Sequence, residues 1–345
     1  MKKKILYIGN KLSKNSNNTP TGMESLGPRL NEIFNVVTIS DKKNKFIRLL
    51  DFVYHIIIYN ADWDIILIDT YSTLNFYYAV ICSILSKLLN IPYVLILRGG
   101  NLEYRLKNSS MLSGYLFHNA DSLISPSIFL KKKFNKYGFN VDVLPTPIND
   151  RFFDLKRKNK FGPKLLWVRK FHKIYNPEMA IKVVSNLKVD FPNIKLMMVG
   201  PEDDGSMENC KKLCIELGVT DNVLFTGLVQ KENILEYYKQ NDIFINTANI
   251  DNMPISVLEG LAASLTVVST NVGGLKYILN DKNSFIINKN DIEKCSLVIR
   301  YILNNPDEVI QKIEVSYKSA EGYKWENIKD KWIDILKPIQ RVPHL

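Results

Sequence analysis

Cysteine and histidine are scarce in this chain, four of each among 345 residues. Cys82, Cys210, Cys214 and Cys295 form no CxxC pair; Cys210 and Cys214 stand merely one helical turn apart. Without His/Cys clustering, the pattern argues against a structural metal and implies reduced thiols and a cytoplasmic location. Long apolar runs are missing as well. The longest uncharged stretch, Thr70 to Ser86, is diluted by Ser, Thr and Asn, and it is short for a membrane span. It reads as a buried helix. The start, MKKKILYIGN, has a basic region but too short an apolar run before Gly9, so it reads as a first strand rather than a signal peptide. There is no GxGxxG and no GxxxxGK[ST], which removes the dinucleotide fingerprint and the Walker loop. No RRM, KH, zinc-finger or helix-turn-helix signature is visible, so no nucleic-acid partner is expected. Internal repeats and low-complexity segments are absent too.

What is present is a soluble globular composition, 46% hydrophobic and 23% charged, on a chain long enough for two ordinary domains. Short β-branched runs alternate with amphipathic segments in both halves. KILYI, VVTI, DIILI, YVLIL, SLIS and VDVL come first; LLWV, IKLMMV, VLFT, DIFIN, LTVVS and SFII follow. Runs with so little polar alternation imply parallel strands covered on both faces. The expected fold is α/β: two consecutive Rossmann-like, doubly wound domains facing across a cleft, with ligands beyond the carboxyl ends of the strands. The domains fall at residues 1–155 and 160–322. The basic, aperiodic stretch 151–164 links them, and an amphipathic tail places Trp325, Ile328, Trp332 and Leu336 on one face.

Charge is unevenly spread. Residues 1–164 carry 24 Lys and Arg against 12 Asp and Glu, whereas residues 165–345 carry 22 against 23. The basic half suits an anionic membrane face or a phosphate-bearing acceptor, although a well-solvated surface accounts for the same charges.

Four stretches carry candidate chemistry. In NTPTGMESLGPRL, Gly22 precedes a helical pattern whose first amides are able to face an anion; a structural turn fits equally. LRGGNLEYRL ends the fourth strand with Arg98 and two glycines, suited to a phosphate or sugar, or to a plain tight turn. LLWVRKFHKIYNPEMAI places Arg169 just past a strand, where a guanidinium clamps a pyrophosphate and Lys170 or Lys173 adds point charge; a solvated basic loop is the alternative. The fourth, DNMPISVLEG, sets Asp251 eight positions before Glu259. Pro254 suits the first turn of a helix whose core face is Val257, Leu258 and Leu261. Glu259 then points about 100° away from that face, roughly 7–8 Å up the helix from Pro254. An acid, free amides and a second acid make a receptor for a polyhydroxylated phosphate; a capping Asp and an exposed helical Glu are the plainer reading.

This last stretch, with its acid, seven residues, then Glu in a PxxxLEG context and the following VVSTNVGG, resembles the signature of retaining glycosyltransferases of family 4, enzymes of the GT-B fold. VRKF at 168–171, VG at 199–200, NVLFTGLV at 222–229, ADSLISPS at 120–127 and VDVLPTPIND at 141–150 extend the resemblance along nearly the whole chain. It implies transfer of a hexose or related sugar from a nucleotide sugar, UDP favoured, to a surface glycan or lipid-linked acceptor in polysaccharide, lipopolysaccharide or capsule biosynthesis. The first domain would bind the acceptor, peripheral to the inner membrane face. The second would bind the donor, and the tail from residue 323 would pack back on the first. By the same resemblance, Glu259 holds the ribose hydroxyls and Asp251 holds those of the sugar, with the amides of Asn252 and Met253 beside it. Arg169 neutralises the diphosphate with Lys173 nearby, and Leu228 and Val229 border the base; Gly22 and Arg98, read from their own loops, complete the candidate site. No metal or other cofactor is implied. The chain departs from the pattern at five positions. Asp251 replaces the usual Glu, Ile174 stands where a Lys is usual, Arg98 replaces a His, Ser264 a Gly, and Tyr277 a Glu. The two-glycine turn of the first loop is also missing. Rival readings are a nucleotide-sugar epimerase or hydrolase of the same fold and a catalytically silent glycan-binding homologue.

Overall fold

All twelve apolar runs read from the sequence are strands in the computed structural model, which describes residues 2–13, 20–155 and 161–341. The chain divides into two compact units, residues 1–147 with 325–345, and residues 148–324.

Unit 1 runs β1 (Lys4–Ile8), α1 (Gly22–Ile33), β2 (Asn35–Ile39), α2 (Lys45–Ile58), β3 (Ile65–Thr70), α3 (Asn75–Leu88), β4 (Tyr93–Leu97), α4 (Leu102–Asn108), α5 (Ser110–His118), β5 (Ser122–Ser125), α6 (Ile128–Asn135) and β6 (Asp142–Val143). Its six parallel strands lie in the order β2-β1-β3-β4-β5-β6. Tyr7, Ile66, Leu67, Val94 and Leu95 are fully buried, as the unalternating patterns of β1, β3 and β4 require.

Unit 2 runs β7 (Lys164–Val168), α7 (Pro177–Leu187), β8 (Lys195–Val199), α8 (Ser206–Glu216), β9 (Val223–Gly227), α9 (Ile234–Gln240), β10 (Ile243–Asn246), α10 (Ile255–Ala262), β11 (Thr266–Thr270), β12 (Phe285–Ile287), α11 (Ile292–Asn304) and α12 (Pro306–Glu321). Its strand order, β12-β11-β10-β7-β8-β9, reverses between β7 and β10, and ligands of such sheets bind beyond the carboxyl ends at that reversal. α7 spans PEMAIKVVSNL as read from sequence, opening on Pro177, whose missing N–H and fixed φ suit a first helical position.

Two expectations shift. The unit boundary falls after Pro147, ahead of the stretch 151–164, because Asp150–Asp154 is a 3-10 turn that buries Phe152 and Phe153 in unit 2; Phe152 meets the Tyr238 ring edge-on at 4.9 Å. Residues 156–160 of that stretch, and Asn18 and Thr19 of the first loop, lie outside the described residues. The tail is not one helix but a 3-10 turn, Trp325–Asn327, followed by α13 (Lys329–Leu336). Trp325, Ile328, Trp332 and Leu336 are nevertheless all buried, against Tyr7, Met23 and Leu26 of unit 1. The Trp325 indole donates to Glu32 at 2.7 Å, which fixes the turn against α1. All four cysteines are buried and free. Among the described residues no helix is long and apolar enough to cross a membrane, and no three His, Cys, Asp or Glu gather as metal ligands.

Candidate active site

The loops after β7 and β10, the two strands at the reversal of unit 2, carry Arg169 and Asp251. Several bonds lash these loops together. Thr247 accepts from the Trp167 indole at 3.0 Å and donates to the Tyr175 carbonyl at 2.8 Å, while the Asn249 amide donates to Ile174. Thr270 on β11 donates to the Ala248 carbonyl at 2.7 Å. Glycines allow the close approaches. A Cβ on Gly200 would stand 1.7 Å from the Arg169 carbonyl, and Cβ atoms on Gly273 and Gly274 would stand 1.8 and 1.6 Å from the carbonyls of Asp251 and Asn252. Gly273 also takes φ +56°, and the Gly274 amide donates to the Asp251 carbonyl at 3.0 Å. The NVGG turn is thus a backbone clamp on the acid-bearing loop.

Arg169 and Asp251 form an ion pair, and the Tyr175 ring lies under the guanidinium with its centroid 5.1 Å away. Asp251 is further met by the amides of Asn252 and Met253. They are the two amides that the resemblance sets beside Asp251. Burial pushes the Asp251 carboxyl up, more than Arg169 and the two amides pull it down. The buried Nε of Arg169 has no hydrogen-bond partner among the described residues. The guanidinium therefore has donor capacity that its surroundings leave unused, an unfavourable state for a buried N–H.

Glu259 departs from the exposed helical acid that spacing allowed. It sits on α10 beside the buried Val257 and Leu258, and the Tyr238 hydroxyl of α9 donates to it at 2.9 Å. Burial raises its carboxyl, against Tyr238, Lys231 and Arg169, which act in the opposite direction. α10 begins after Pro254, with no side chain capping its first-turn amides. Val229 and Met253 pack against the same apolar cluster as Tyr238 and Val257, and Leu228 is half-buried just past β9. Lys173 has an exposed side chain, and its backbone amide donates to Asp204 at 3.0 Å. Lys170 is paired with Asp203 at 2.8 Å. Tyr175, Lys231 and Tyr238 escaped the sequence reading. Tyr238 had a signal, a polar-tipped aromatic within the apolar pattern of ILEYYKQ, but nothing local pairs it with an acid 21 positions on.

Arg98 and Gly22 belong to unit 1. Arg98 is not an open anion clamp: its side chain is 8% exposed, and its guanidinium donates to Asp69 (2.9 Å), the Tyr7 hydroxyl (2.9 Å) and Thr146 (3.1 Å). Burial would lower its proton affinity, yet Asp69, Tyr7 and Tyr71 hold it well above the ordinary value. Gly22 opens α1 directly against it, since a Cβ there would sit 2.6 Å from the guanidinium carbon. At the first turn of α1 a capping box between Thr21 and Glu24 engages the Thr21 and Glu24 amides.

Residues 149–319 match the family model of glycosyl transferases group 1. The chain is 28% identical over 161 residues to an uncharacterized glycosyltransferase of Haemophilus influenzae, 46% of this chain and 44% of that one. It is 22% identical over 213 residues to alpha-monoglucosyldiacylglycerol synthase of Streptococcus pneumoniae, 57% of this chain and 48% of that one. Each match thus takes in less than half of the curated relative's length. Among solved structures, Anabaena HepE in complex with UDP superposes with a TM-score of 0.77 at 13% identity, covering 97% of this chain and 100% of that one. The fold is GT-B, and together these likenesses support a glycosyltransferase.

Proposed function

We propose that unit 2 holds a nucleoside diphosphate sugar, a UDP-sugar in the first instance, and that the chain transfers its sugar with retention to a surface glycan or lipid-linked acceptor taken by unit 1. One observation carries this reading. Arg169, with unused donor capacity, and two half-buried carboxylates are assembled beyond the carboxyl ends of β7 and β10, where such a sheet takes its ligand. UDP as the donor's nucleotide is supported by the solved neighbour that carries it.

In this reading the diphosphate replaces Asp251 as the principal partner of Arg169. The guanidinium, Nε included, then stabilises charge developing on the leaving group, a role suited to a fixed cation in a partly buried site. Asp251, released from Arg169, accepts hydrogen bonds from sugar hydroxyls. Glu259, steadied by Tyr238, accepts from the ribose, and Leu228 and Val229 flank the base. The first-turn amides of α10 face the phosphates with the favourable end of the helix dipole. Chain cations serve in place of a metal, so transfer is expected to persist in EDTA. Attack comes from the face the leaving group vacates. Unit 1 supplies the acceptor side, at the cytoplasmic face of a membrane.

The test is calorimetry with UDP. Glu259→Ala is expected to abolish measurable binding and Arg169→Ala to weaken it by about tenfold or more, whereas Asp251→Ala mainly lowers turnover with a UDP-sugar. Unchanged UDP affinity in Glu259→Ala overturns the site assignment. Donor consumed equally fast with and without acceptor points to a hydrolase.

A further inference from the structure

α2 is apolar on the side it buries and also on the side it shows. Phe52 and Ile56 lie in the core of unit 1, 1% and 0% exposed. On the opposite side Phe46, Ile47, Leu50, Tyr54, Ile57 and Ile58 are 41–68% exposed. At about 100° per residue these six occupy an arc of roughly 120°, and no charged side chain lies within it. Neighbouring α3 packs against α2 and continues the surface with Tyr77, Ile84 and Leu88, 38–71% exposed. The Tyr78 hydroxyl ties the two helices by donating to the Lys45 carbonyl at 3.0 Å. Scattered exposed apolar residues are ordinary; two adjacent helices with continuous apolar outer stripes mark a surface that meets something other than water.

The charges around the stripe say what that is. Lys42, Lys43 and Lys45 are exposed at the start of α2. Their loop is pinned by the buried Arg48, whose guanidinium donates to the carbonyls of Lys42 (2.8 Å) and Lys43 (3.0 Å). Among the nearby acids, Asp62 pairs with Lys4 at 3.0 Å, Asp64 accepts the Lys4 backbone amide at 2.8 Å, and Asp51, beside the stripe, lies 3.5 Å from the His55 ring, which offsets its charge only when protonated. Asp41 contacts Lys42 at 3.5 Å, an exposed pair of little strength. An apolar stripe edged by lysines, with aromatic rings at Phe46, Tyr54 and Tyr77, complements an anionic lipid interface: rings and aliphatic side chains enter the headgroup–acyl boundary while lysines meet lipid phosphates.

We propose that the outer face of α2, extended by α3, docks unit 1 onto anionic phospholipid. This inference rests on the surface of unit 1 and not on the donor reading for unit 2, so the two fail separately. The full chain is expected to co-sediment with vesicles of phosphatidylcholine and phosphatidylglycerol, and far less with phosphatidylcholine alone. The exposed-site variant L50D/I58D and the variant K42A/K43A/K45A should each lower vesicle affinity by about tenfold or more. Both should keep wild-type circular dichroism and UDP affinity. Absence of wild-type binding to the anionic vesicles overturns the proposal, and so does binding unchanged in either variant. A wild-type dimer that L50D/I58D converts to monomer also overturns it, by giving the stripe to a second copy of the chain.

Discussion

Glu259 and Asp251 were legible as a spaced pair of acids, but their surroundings were not. Helical phase placed Glu259 off the core face, and periodicity knows nothing of Tyr238, which arrives from another helix to meet it. The amides of Asn252 and Met253, which the resemblance sets beside Asp251, pull its carboxyl down, though by less than burial raises it. The consequence is electrostatic. Burial raises both carboxyls in the folded protein, so each holds its proton more readily folded than unfolded. Their contribution to stability is therefore full in acid and is lost as pH rises through the ordinary carboxylate range and beyond. Glu259→Gln removes one such charge while leaving Tyr238 an acceptor. It should raise the Tm by roughly 2–4 °C at neutral pH and weaken UDP binding, because a neutral amide oxygen is the poorer acceptor for ribose hydroxyls. The gap in Tm should close as pH falls towards about 4, where the glutamate is itself neutral. Thermal melts across that range decide the matter; a gap independent of pH contradicts the burial argument.

The strands were the most legible elements, because a parallel strand covered on both faces must be apolar at every position, a pattern that survives without any tertiary knowledge. The NVGG turn was visible only as a turn. Its role depends on which backbone it touches, and that is set by β10 and β11 lying side by side. With Cβ positions of 1.8 and 1.6 Å from the carbonyls of Asp251 and Asn252, Gly273→Ala and Gly274→Ala must displace the loop that holds Asp251. Each is expected to cost about 2–3 kcal/mol of stability and to weaken UDP binding as well. Gly322→Ala is the control. Its Cβ would meet nothing nearer than the Ser319 carbonyl at 3.9 Å, and its backbone is right-handed at φ −60°. Denaturant midpoints and calorimetry on the three variants test the clamp, and a Gly273→Ala protein with wild-type UDP affinity refutes it.

At the scale of the chain, composition showed that two domains were present, and the apolar face of the tail showed that it packs. The boundary was missed because basic residues resemble a linker even where Phe152 and Phe153 are buried beside them. The cysteines, unremarkable in sequence, report on both units. Cys82 belongs to unit 1, and Cys210, Cys214 and Cys295 to unit 2. Burial pushes the thiols of Cys82, Cys210 and Cys295 up to about 12 and that of Cys214 to about 11, so none reacts until its unit opens. UDP at one hundred times its dissociation constant stabilises the unit that binds it by about 2.7 kcal/mol, roughly a hundredfold fewer openings. Labelling at moderate denaturant should therefore slow by about that factor at the three thiols of unit 2 and remain unchanged at Cys82. Trp332, 1% exposed in the core of unit 1, supplies the converse. Trp332→Ala should cost about 3–5 kcal/mol and speed labelling of Cys82 while UDP still protects the other three. Equal protection of all four thiols by UDP would show a single cooperative unit and contradict the division, whereas protection of Cys82 alone would contradict the placement of the donor in unit 2.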